Sequence, residues 1–94
     1  MTFKQYFLNE IALNMLTADE MEAANTYAMI VYACKKNKKL YKETGEERYN
    51  ETAEKQNNMA MQIYQDTLAQ GTDKKLFYNT FLKIYNHLLS KNPI

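Results

Sequence analysis

The chain has 94 residues, of which 46% are hydrophobic and 24% charged, with a formal net charge of +1. This is the composition of one ordinary globular domain rather than a disordered chain. Near-neutrality excludes a global field drawing it to nucleic acid or to an anionic membrane. Only two glycines and one proline occur, too few for the turns of a β-rich fold, so the expected class is all-α.

Three boxes of the form Ser/Thr-x-x-Glu/Gln mark helix starts, because the hydroxyl accepts from the third amide while that residue's side chain returns to the cap amide. Thr2 and Gln5 open a predicted helix over 3–16. Thr17 and Glu20 open a second over 18–44, with Leu16 and Met21 at the spacing of a hydrophobic staple. Gly45 can take the left-handed conformation that ends it. Thr44 and Glu47 open a third over 46–70, and Gly71 can end it in the same way before Thr72 opens a fourth over 73–91. The expectation is a four-helix single domain over 1–94, built on a long antiparallel hairpin of the second and third helices. Neither glycine nor proline enforces the break at 16–17, so the first two helices can be separate or continuous.

Each hairpin arm has about 25 residues and a length near 40 Å. Folding back at Gly45 pairs residues whose numbers add to about 90. That register sets Tyr41 by Tyr49, Val31 by Met59, Ile30 by Ala60 and Tyr27 by Ile63. The base of the hairpin is apolar around much of each helix. The stretch from Lys35 to Asn58 is polar apart from Leu40, Tyr41, Tyr49 and Ala53. The first and last helices should therefore cover the base, leaving the tip in solvent. In the last helix Phe77, Phe81, Ile84 and Leu88 form one stripe, and Tyr78, Leu82, Tyr85 and Leu89 form another. Together they span roughly 160°, so this helix must meet two neighbours or present its tyrosine stripe to a partner.

Candidate chemistry is sparse. Lys35, Lys36, Lys38, Lys39 and Lys42 can neutralise phosphates, with Tyr41 and Tyr49 available for stacking. Against that, lysines stabilise a helix C-terminus, and Glu46, Glu47, Glu51 and Glu54 open the facing helix. A lone arginine also disfavours base readout. Asp19, Glu20 and Glu22, and Glu43, Glu46, Glu47 and Glu51, lie near helix starts and lack the inward Glu-x-x-His pairs of bundle metal sites. No cofactor or metal is expected. His87, the single histidine, falls opposite the apolar arc of the last helix, and Cys34 reads as a buried small hydrophobe. The six methionines read as adaptable core filling, whereas tyrosine suits half-buried interface positions.

One cysteine precludes an intrachain disulfide. The first ten residues lack a signal-peptide pattern, and no run is long enough to span a bilayer. A cytoplasmic location and no membrane association are expected. Eleven lysines against one arginine, with ten asparagines, associate the chain with AT-rich coding, as in low-GC bacteria and their phages or mobile elements. The expected function is a non-enzymatic protein-interaction factor, an inhibitor or adaptor acting on a larger host protein or defence complex, with homodimerisation as a further option. Its partner-binding residues would be Tyr78, Tyr85, Leu82, Leu89, Tyr41 and Tyr49. The alternative is nucleic-acid binding through the five lysines.

Overall fold

The computed structural model describes residues 16–94. They form three helices and, among the described residues, no strand: α1 (Ala18–Thr44), α2 (Glu47–Ala69) and α3 (Lys74–Lys91). The all-α class therefore holds. The helix expected over 3–16, with its Thr2 and Gln5 box, lies outside the described residues, and three of the four expected helices are seen.

Local chemistry sets the start of α1. Thr17 is extended, its Oγ1 accepts from the Glu20 amide at 3.2 Å, and its own amide donates to Glu20 Oε1 at 2.9 Å. The complete box thus makes a true helix start at the junction with residue 16. Leu16 turns into the core with Ala24 and Phe77, while Met21 stays exposed. The Thr72 hydroxyl, the Thr17 amide and the Thr17 hydroxyl hold the Glu20 carboxyl below its ordinary range. Its native pKa is depressed, so Glu20 contributes stability above the unfolded carboxylate range and loses it as pH falls through the native value. Replacing Thr17 with alanine is expected to cost about 1 kcal/mol in a urea titration at neutral pH. Glu20→Gln should flatten the acid limb of the stability profile; an unchanged limb would place the pH dependence elsewhere.

Gly45 ends α1 at φ 71°, donating its amide to the Tyr41 carbonyl at 2.8 Å. A Cβ there would meet nothing within 4 Å, so only backbone strain opposes substitution. Gly45→Ala is expected to cost about 1–2 kcal/mol, measured as a lower urea midpoint at unchanged slope. The third box does not form. Thr44 belongs to α1, where its hydroxyl donates to the Leu40 carbonyl at 2.8 Å, and the N-cap of α2 is Glu46, without a side-chain cap. At the next junction Gly71 takes φ 97°, and the cap of α3 is Asp73, whose carboxylate accepts from the Leu76 amide at 2.9 Å. Thr72, expected to open that helix, is instead buried.

The hairpin register is near that expected. Tyr27 and Tyr64 meet at 5.9 Å between ring centroids, and Asn37 donates to Gln56 Oε1 at 2.9 Å. The Cys34 thiol donates to the Ala53 carbonyl at 3.2 Å. The seam is lined by small residues. Ala53, Ala60 and Thr67 recur every seventh position of α2 and are buried; Ala24, Ala28 and Cys34 are buried on α1. A seven-residue spacing returns to nearly the same face of a helix, and small side chains let two helix backbones approach closely.

The four methionines among the described residues do not fill the core. Met21, Met29, Met59 and Met61 are exposed. Met29 follows buried Ala28, and Met59 and Met61 flank buried Ala60. At 100° per residue each is turned away from a seam that alanine already fills. Phe77, 1% exposed, supplies the large core side chain instead, packed with Tyr27 at 5.6 Å and Tyr64 at 6.0 Å.

The last helix runs in the same sense as α1. Phe77 and Phe81 meet Tyr27, Lys35 Nζ lies 4.9 Å from the Tyr85 ring centroid, and Tyr32 Oη donates to the Asn92 carbonyl at 2.6 Å. Asn92, Pro93 and Ile94 then line a cleft with Tyr32, Lys36, Lys39, Leu40 and Glu43. Residues 92–94 thus lie beside one side of the hairpin tip, while Lys35, Lys36, Lys38, Lys39 and residues 42–48 stay exposed, as expected of a tip in solvent. This contact accounts for the half-burial of Leu40. No helix of the described residues is long and apolar enough to cross a membrane.

Candidate functional site

The six residues expected to bind a partner fall into two groups. On α3, Tyr78 is 53% exposed, whereas Leu82, Tyr85 and Leu89 are half-buried. Phe81 links the tyrosines into a row, with centroids 6.2 Å from Tyr78 and 5.5 Å from Tyr85, the latter pair stacked. Phe81 also meets Tyr27 edge-on at 4.9 Å. Tyr78 is thus the exposed end of a ring series whose other end is the core. Tyr27, inside that cluster, has its phenol pKa raised, by burial first and then by neighbouring Tyr64 and Tyr78.

At the hairpin turn, Tyr41 and Tyr49 are half-buried. The Arg48 guanidinium lies 4.7 Å from the Tyr49 ring centroid and donates to Tyr49 Oη at 2.9 Å. Arg48 also pairs with Glu46 at 2.6 Å, and these neighbours raise its pKa, Glu46 contributing most. The single arginine of the chain is therefore held by its own turn, and one ring face beside it is covered.

The described lysines are largely without ion-pair partners. Among the described residues only two ion pairs occur, Lys39 with Glu43 at 3.9 Å and Arg48 with Glu46, and neither crosses the hairpin. Glu47, Glu51 and Glu54 do not neutralise Lys35, Lys36, Lys38 or Lys42 by contact. Comparison with family models, with curated proteins and with solved structures finds no match for this chain. The chemistry of the surface is therefore the guide to function.

Besides the cleft beside Asn92, Pro93 and Ile94, that surface has a concavity between α1 and α2. Val31, Cys34, Lys35 and Lys38 of α1 line a groove with Asn57 and Ala60 of α2, continued toward the tip by Asn50, Ala53, Glu54 and Asn58 beside Lys38. Its signal in the sequence was the lysine spacing; its shape depended on how α1 and α2 sit against each other. Elsewhere, Cys34 is buried with its thiol engaged, and His87 is exposed. Among the described residues no three His, Cys, Asp or Glu side chains gather as a metal site would.

Proposed function

We propose that this chain is a non-enzymatic protein-interaction factor that presents one face of α3 to a larger protein. Tyr78 carries the reading. A tyrosine 53% exposed, with its ring supported by Phe81, offers apolar area and a hydrogen-bonding hydroxyl at small entropic cost. Leu82, Tyr85 and Leu89, half-buried beside it, extend the surface, and Tyr41 and Tyr49 offer a second one at the turn. The AT-rich coding signature supports an origin in a phage or mobile element. A small helical factor of that origin fits the role of inhibitor or adaptor on a host enzyme or defence complex.

The nucleic-acid alternative rests on five lysines, of which only Lys39 has an ion-pair partner among the described residues. It is weakened by rings already covered by Lys35 and Arg48, and by Glu54 beside Lys38. The test is capture from host lysate with the native chain and with Tyr78→Ala. Loss of the captured protein at unchanged helicity is expected. Full retention by Tyr78→Ala would remove the α3 face as the binding surface, and light scattering on the same samples reads self-association.

A further inference from the structure

We infer that the groove between α2 and α3 receives an acidic amphipathic helix of the partner protein. The inference rests on the protein-interaction reading above and assigns the chemistry of what is bound. The two outer helices part as they climb α1. At the base they touch through Tyr64 and Phe77, both against Tyr27. Higher up, α2 lies on Cys34, while the end of α3 and the residues after it lie by Tyr32, Lys36 and Glu43. At 100° per residue those three positions stand on the opposite side of α1 from Cys34. The helices therefore open as a V with an aromatic vertex. Its floor is the stripe Val31, Lys35, Lys38 and Lys42, which recurs at the spacing of one helical face.

Lys35 fixes the placement, because it lines the α2 wall with Asn57 and also lies over the Tyr85 ring of α3. The groove thus grades from rings at its vertex, through Val31, to three exposed lysines with no ion pair among the described residues. An occupant matching that gradient has apolar side chains for the closed end and carboxylates for the open end, as an acidic amphipathic helix does. A nucleic-acid strand fits less well. Glu54 lies beside Lys38, Glu43 near Lys39, and the Tyr85 face at the groove is taken by Lys35.

The probe is a labelled synthetic peptide whose helical repeat sets leucines on one face and glutamates on the other. Amide resonances of Val31, Lys35, Lys38, Asn57 and Tyr85 are expected to shift on titration. Lys35→Glu/Lys38→Glu/Lys42→Glu should weaken binding about tenfold or more, whereas Lys55→Glu/Lys75→Glu/Lys83→Glu, equal in charge but outside the groove, should not. A peptide of the same composition with scattered leucines should bind at least about tenfold more weakly. The inference is overturned if the groove resonances stay still, if both lysine variants lose binding equally, or if the scattered peptide binds as well. It is also overturned in favour of nucleic acid if oligothymidine displaces the peptide from the same residues. Should host capture be lost in Tyr78→Ala but kept in the groove variant, the protein-interaction reading stands and the groove assignment falls.

Discussion

Phe77→Ala is expected to remove about 3–5 kcal/mol of stability, the largest loss from any single truncation in the described chain. Phe77 is 1% exposed and touches the rings of Tyr27 and Tyr64, so it joins all three helices at one point. The rest of the buried set is small, chiefly alanine, threonine and Cys34. Its large neighbours Tyr27 and Tyr64 belong to the other two helices, so they relax only partly into the space, and the cavity cost is added to the lost transfer energy. For a chain of this size the melting temperature should fall by more than about 12 °C. Against a total of about 5–15 kcal/mol, that is enough to populate unfolded chain at physiological temperature. The neighbouring residue supplies the control. Tyr78 differs by one position and is 53% exposed, so Tyr78→Ala should change stability by less than about 1 kcal/mol. Equal melting temperatures for the two variants would mean that the ring cluster at the base does not hold the helices together.

The sequence carried the hairpin because local and long-range signals coincided there. Glycine at 45 could stop one helix, and apolar residues then paired along both arms in a single register. The Thr17 box was legible for the same reason: every atom it needs lies within four residues. Where two local signals competed, sequence pattern could not rank them. Thr44 had the spacing of an N-cap, but a left-handed Gly45 directly after it placed the hydroxyl within reach of the Leu40 carbonyl instead. Asp73 took the cap of α3 while Thr72, one residue earlier, was drawn inward. The four described methionines were misplaced because periodicity gives the direction of a side chain and not the distance to the next helix. Where alanine brings two helices together, the seam has no volume left for a residue 100° away. The lysine run was visible as composition. That the acids of the facing helix form no ion pair with it, and that α3 leaves it uncovered on one side, are tertiary facts with no local signature.

Ala53→Leu is expected to cost about 1–3 kcal/mol through overpacking of the α1–α2 seam. Ala53 is 1% exposed, and its carbonyl receives the Cys34 thiol at 3.2 Å. Three more carbon atoms at this position must displace Cys34 or push the helices apart. Leucine is nearly as good a helix former as alanine, so the helical signal at low temperature should be unchanged while the melting temperature drops. That combination separates packing from propensity. A leucine introduced on another face of the same helix makes the contrast. Met61→Leu, at a position 51% exposed, should alter stability by no more than about 0.5 kcal/mol. Cys34→Ala made together with Ala53→Leu returns volume to the seam. The pair should be less destabilised than the sum of the two single changes, with a coupling of about 0.5–3 kcal/mol for residues in contact. Strict additivity would show that Cys34 and Ala53 do not share the space the register assigns to them. The hairpin would then be held by its rings at the base and its turn at Gly45, with the small residues between them only permitting the approach.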